Sequence, residues 1–190
     1  MDYRDAAEKL ASYREQIDEL RRKMRETQEA AEPQPVKDYA FATPTGAVRL
    51  SALFGDKGDL FVIHNMGSSC TYCTLWADGF NGIYQHLAAR AAFVVSSPDP
   101  PDLQRTFAAD RGWRFPMVSH KGTSFAADMG YRAKRGGWLP GVSVYKRKRN
   151  RILRVADTGF SPGDDFCALW HMLDMLPEGG GSWEPKFTYG

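Results

Sequence analysis

Leu60-Phe61-Val62-Ile63-His64-Asn65-Met66-Gly67-Ser68-Ser69-Cys70-Thr71-Tyr72-Cys73-Thr74-Leu75-Trp76 is the stretch that decides the fold. Leu60 to Asn65 is an apolar run of the kind a buried strand carries, and a helix-like pattern beginning at Cys70 or Cys73 continues to Arg90. Two cysteines three apart place their Cα atoms within the roughly 4.4–6.8 Å that a disulfide requires. A thiol at a helix start feels the positive end of the helix dipole and unpaired backbone amides, both of which lower its pKa. Strand, dithiol and helix in that order point to a redox site.

Working outward, Ala92-Phe93-Val94-Val95-Ser96-Ser97 is a second short apolar strand that Pro98 and Pro100 terminate, which completes a β-α-β unit. A helix over Pro101 to Asp110 follows, then a short Pro116-Met117-Val118-Ser119 segment. Gly141-Val142-Ser143-Val144-Tyr145 and Ile152-Leu153-Arg154-Val155-Ala156 form a hairpin around a basic turn. Asp164 to Leu176 reads as a closing helix with Phe166, Leu169, Trp170, Leu173 and Leu176 on one side. Upstream of the deciding stretch, Val48 to Phe54 reads as a strand or extended segment, with Gly55-Asp56-Lys57-Gly58-Asp59 as a turn.

Residues 2 to 31 read as one charged helix in which Tyr3, Ala6, Leu10, Tyr13, Ile17, Leu20, Met24 and Thr27 are spaced alternately three and four apart. Lys9, Arg14, Arg21 and Lys23 flank that seam and the acidic residues lie on the outer face, so a homodimeric coiled coil sets like charges opposite each other. A homo-oligomer through this arm and docking on an acidic surface both stay open. The domain reading is therefore a charged helix over 1–32, an α/β domain over 33–178 and a Gly-rich tail over 179–190.

The 190 residues suffice for one domain with a full core plus an appendage. Lys and Arg number 25 against 23 Asp and Glu, so nothing global suggests a nucleic-acid or membrane partner. No stretch approaches the ~18 apolar residues of a membrane span, and Met1-Asp2-Tyr3-Arg4-Asp5 opens without the apolar run of a secretory signal. The expectation is a cytoplasmic protein, where a close cysteine pair is redox-active or metal-binding rather than structural.

A β-α-β unit with a dithiol at its helix start, followed by a hairpin and a final helix, is the element order of thioredoxin-like proteins. Cys70-Thr71-Tyr72-Cys73-Thr74-Leu75-Trp76-Ala77-Asp78-Gly79-Phe80-Asn81-Gly82, His86-Leu87-Ala88-Ala89-Arg90, Gly112-Trp113-Arg114-Phe115-Pro116-Met117-Val118-Ser119, Asp128-Met129-Gly130 and Leu139-Pro140-Gly141-Val142-Ser143-Val144-Tyr145 resemble the thioredoxin-like family numbered 899 among domains of unknown function. The resemblance spans about residues 40 to 176. It implies an α/β fold, a three-layer α/β/α sandwich with a central mixed sheet and here an added N-terminal helix. It also implies dithiol-disulfide exchange and a cis proline at Pro140 that shapes the substrate groove. This chain departs from many relatives in its Thr71-Tyr72 spacer and its basic hairpin tip.

Read residue by residue, Cys70 is the attacking thiolate and Cys73 the resolving thiol one turn inside, with a disulfide-containing protein or a small thiol or disulfide as substrate, a reductase as partner and no cofactor. Gly67, Ser68 and Ser69 are placed to present amides and hydroxyls to the Cys70 thiolate. Trp76 reads as a core aromatic, Asp78 as a local cap or a proton-transfer aid, and Cys167 as a buried small hydrophobe. His64, His86, His120 and His171 are scattered, and a structural zinc site needs four ligands.

Three alternatives stand beside this reading. One is a non-catalytic binding or metal-handling module of the same fold. The second is a peroxiredoxin-like peroxidase, whose motif resembles Pro-x-x-x-Thr/Ser-x-x-Cys; here Gly67 stands at the hydroxyl position and Ile63 at the proline. The third is an anion-binding role for Lys146-Arg147-Lys148-Arg149-Asn150-Arg151 and Arg154, a charge cluster with little aromatic interleaving for base stacking.

Overall fold

The computed structural model describes residues 1–190, in two compact units, Met1–Pro33 and Gln34–Gly190. The first is a single helix, α1 (Tyr3–Ala30), capped by the Asp2 carboxylate, which accepts from the Asp5 amide at 2.8 Å. Arg22 pairs with Glu19 and Glu26 within the helix, and its seam residues Leu10, Tyr13, Ile17, Leu20 and Met24 are exposed.

The second unit runs β1 (Gln34–Val36), β2 (Ala40–Thr43), β3 (Gly46–Arg49), a 3₁₀ turn (Ala52–Phe54), β4 (Asp59–His64), α2 (Thr71–Arg90), β5 (Ala92–Ser97), α3 (Pro101–Arg111), β6 (Met117–Ser119), α4 (Phe125–Asp128), β7 (Gly141–Lys148), β8 (Arg151–Gly159) and α5 (Ala168–Leu173). Its eight-stranded sheet has the order β1-β8-β7-β4-β5-β6-β2-β3. The pairs β4·β5 and β5·β6 are parallel and the others antiparallel, so the sheet is mixed.

Alternation along β4 splits the core in two. Leu60 and Val62 enter a cluster with Phe41, Leu50, Phe54, Phe125 and Tyr145, roofed by the 3₁₀ turn and α4. Phe61 and Ile63 face the other way, against Trp76, Ala77 and Phe80 of α2, Trp170 of α5 and Phe107 of α3. The result is the α/β/α layering expected. Because β4, β5 and β6 all end on the same edge of the sheet, the loops after them meet there, the usual place for a site in such folds.

Several boundaries differ from the sequence reading, each for a local reason. Val48–Phe54 is not one strand: the Leu50 amide turns back to the Tyr39 carbonyl, and Ser51 donates its amide and hydroxyl to the Asp38 carboxylate. The closing helix is six residues, not the thirteen-residue Asp164–Leu176 stretch, because Asp164 accepts from the Ser161 and Phe166 amides and holds a turn instead. The linker contains a strand despite Pro35, since β1 lies at the sheet edge where a missing N–H costs no ladder bond. Asp78 and Asn81 do not interrupt α2: they spend their polar atoms on Arg111, Trp113, Gly112 and Arg114 rather than on its backbone. Residues 179–190 lie back on the domain through Trp183 against Trp170 and Phe187 against Phe107, with Arg111 donating to the Phe187 carbonyl at 2.6 Å.

Candidate active site

Cys70 is the N-cap of α2. Its Sγ accepts from the Cys73 amide at 3.0 Å, taking the place that a serine or aspartate oxygen takes in an ordinary cap. The Cys70 carbonyl accepts from the Thr74 amide and hydroxyl, and the Cys70 amide donates to the Gly67 carbonyl at 3.1 Å, so the residue is fixed on both sides. Cys73 sits one turn inside, only 3% exposed, and its Sγ accepts from the Met66 amide at 3.4 Å. All three cysteines are free thiols.

The two thiols differ sharply in acidity. Hydrogen bonding from the Cys73 side chain, helped by the Cys73 and Tyr72 amides and opposed by burial, lowers the Cys70 pKa to about 7. Cys73 is pushed far the other way by the thiol it serves, by burial and by the negative charge on Cys70. The shifts favour the thiolate at Cys70 and the protonated thiol at Cys73.

The amides of Gly67 and Ser68 do not serve Cys70, contrary to the sequence expectation. Gly67 donates to Asn65 Oδ1 at 2.8 Å and Ser68 to Asp99 Oδ2 at 2.7 Å, because these nearer carboxyl and carboxamide oxygens satisfy them first. Pro140 is not cis. The Leu139 amide donates to the Tyr131 carbonyl at 3.0 Å and the Phe160 amide to the Pro140 carbonyl at 2.9 Å, and trans is the lower-energy form of an X–Pro bond. The pairing of His64 with Gly141 places Pro140 at the level of Asn65, on the edge from which the cysteine loop departs.

The other candidates are structural. Trp76 is buried beside Phe160 and donates to Asp164 at 3.3 Å. Asp78 is held by Arg111 and by Trp113, whose Nε1 donates at 2.7 Å. Cys167 is buried in the α2-side core at the start of α5, and burial raises its pKa. His64 lies on the opposite face, stacked on Tyr131 with centroids 3.6 Å apart and sharing a hydrogen bond with Ser143 at 2.9 Å. His120 shares one with Ser96 at 3.0 Å, and no three His, Cys, Asp or Glu side chains converge as a metal site would require. The basic hairpin tip is at the opposite end of β7 from Gly141, away from the cysteine loop. Sequence reasoning missed Asp99; its signal was Ser97-Pro98-Asp99-Pro100, a stiff loop directly after β5.

A mixed sheet with its thiols at the start of the helix after the central parallel strand defines a thioredoxin-like fold. Among solved structures the chain resembles peroxidoxin BcpB from Mycobacterium tuberculosis, with a TM-score of 0.58 and 26% identity over 72% of this chain and 88% of that one. It also resembles peroxiredoxin Q from Xanthomonas campestris (TM-score 0.55, 17% identity, 64% and 80% covered). Reduced Prx3 of Vibrio vulnificus in complex with hydrogen peroxide is similar at a TM-score of 0.55 and 14% identity, over 70% and 87% of the two chains. The family model described as a bacterial protein of unknown function (DUF899) matches residues 5–187, and the chain belongs to that family. No curated protein sequence matches it. No helix is long and apolar enough to cross a membrane.

Proposed function

We propose that the protein is a thiol-disulfide oxidoreductase in which Cys70 attacks and Cys73 resolves. The observation that carries this is the Cys73 amide donating to Cys70 Sγ at the start of α2, with the Cys70 thiol held at about 7 over a buried, protonated Cys73. The Cys70 thiolate attacks one sulfur of a substrate disulfide; that S–S bond breaks, and the departing thiolate takes a proton. Cys70 is then neutral in a mixed disulfide, so two of the effects that raise Cys73, the bond to the Cys70 thiol and the Cys70 charge, disappear together. Cys73 loses its proton and attacks Cys70 Sγ, releasing the second substrate thiol and leaving a Cys70–Cys73 disulfide. Substrate gains two electrons, the dithiol loses two, and a reductase in a reducing, cytoplasmic setting returns them. Pro140 edges the groove that receives the substrate, a protein or small-molecule disulfide.

A second reading, peroxide reduction at Cys70, draws support from the likeness to peroxidoxin BcpB. Against it stands Gly67 at the position where peroxiredoxins resemble one another in having a hydroxyl. The test is Cys73→Ser with glutathione disulfide or hydrogen peroxide. Expected is a lasting glutathione adduct on Cys70 in the variant and a Cys70–Cys73 disulfide in the wild type. Faster sulfenic acid formation with peroxide would favour the second reading, and inertness to both a binding module.

A further inference from the structure

Asp99 lies in the loop between β5 and α3, 29 positions beyond Cys70 in the chain. Its amide donates to Ser97 Oγ at 3.3 Å, and that hydroxyl accepts from Gln104 Nε2 at 2.8 Å, which also donates to the Val118 carbonyl at 3.0 Å. Ser97 and Gln104 are buried, so the backbone of Asp99 is anchored to a polar chain joining β5, α3 and β6. From that anchor the carboxylate reaches the cysteine loop and accepts from the Ser68 amide at 2.7 Å.

The same carboxylate fills the space beside Gly67. A Cβ placed on Gly67 would lie 3.0 and 3.2 Å from the two Asp99 oxygens, and Gly67 has a φ of +111°, a conformation few other residues adopt. The Gly67 carbonyl in turn accepts from the Cys70 amide at 3.1 Å. The chain of contacts is continuous: sheet edge, Asp99, the Gly67-Ser68 turn, Cys70.

We infer that Asp99 is a positioning residue for Cys70, holding the Gly67-Ser68 turn so that Cys70 Sγ stays in the N-cap position where the Cys73 amide can stabilise its thiolate. This rests on the reading of Cys70 as the attacking thiol. Asp99 acts by accepting a hydrogen bond at a fixed place rather than by its charge, since a negative charge near a thiolate opposes its formation.

The test is the pH dependence of Cys70 alkylation by iodoacetamide, followed by mass spectrometry in the full-length reduced protein with folding checked by circular dichroism. Wild type should show a midpoint near 7. Asp99→Ala should move it toward the ~8.5 of a free cysteine, a five- to fifteen-fold slower reaction at pH 7 that converges with wild type above pH 9. Asp99→Asn, which keeps an acceptor, should stay within about twofold of wild type. Should Asp99→Ala fail to fold, Asp99→Leu fills the space, accepts nothing and carries the same expectation. An unshifted profile in a folded Ala or Leu variant, or equal slowing in Asn and Ala, overturns the positioning role while leaving the attacking role of Cys70 intact. A wild-type midpoint of ~8.5 overturns the attacking role itself.

Discussion

Acidification should destabilise this protein through two histidines that take no part in the thiol chemistry. His64 and His120 are each 2% exposed, and each ring keeps one nitrogen without a hydrogen-bond partner, Nδ1 of His64 and Nε2 of His120. Burial, followed by the positive charge of Arg132, lowers His120 from 6.5 to about 4. Burial, followed by repulsion from His120 and Arg154, takes His64 well below 6.5. Both folded-state pKa values lie below the unfolded one, so as pH drops through the window from about 6.5 to 4 the unfolded chain binds more protons and stability is lost. A pH of 5 lies about 1.5 units below the unfolded pKa of His120 and above its folded one, which at about 1.36 kcal/mol per unit costs about 2 kcal/mol, and His64 acts in the same direction. With a urea dependence of about 2 kcal/mol/M, His120 alone should lower the unfolding midpoint by about 1 M between pH 7.5 and pH 5. His120→Asn keeps a polar group near Ser96 but does not titrate, and it should shrink the total drop by about that 1 M whatever its effect at pH 7.5. A drop of equal size in the variant would refute the assignment.

Two further substitutions separate architecture from chemistry. Asp78→Ala strips the carboxylate from Arg111 and Trp113 and should cost about 2–4 kcal/mol in urea unfolding, while leaving the Cys70 alkylation midpoint unmoved. Gly141→Ala would press a methyl group into the Tyr131 ring and the Thr158 carbonyl; since the latter is backbone and cannot swing away, a loss of about 3 kcal/mol is expected by the same measurement.

The central β-α-β unit was legible because its signals are local. The apolar runs 60–65 and 92–97 match β4 and β5 closely, and the cysteine pair marks the start of α2. The sheet margins were not. β1 and β2 are three and four residues long, and their pairing with β8 and β6 is set by partners far along the chain. The closing helix was read too long because apolar spacing from Phe166 to Leu176 cannot reveal that Asp164 is bound into a turn. At the site, the positions of Cys70 and Cys73 followed from their spacing. The donor to Cys70 is the local helix-start amide that the spacing implied, whereas the trans geometry of Pro140 and the reach of Asp99 to Ser68 depend on how loops meet at the sheet edge, and no local pattern encodes that.

The central claim is that Cys70 and Cys73 exchange two electrons as a pair. A glutathione or dithiothreitol titration with thiols counted by mass spectrometry, on wild type and Cys70→Ser, addresses it most directly. The account predicts one reversible two-electron transition between about −270 and −120 mV that the variant lacks. Thiols that stay reduced at every poise, or that are protected only when metal is added, would contradict it.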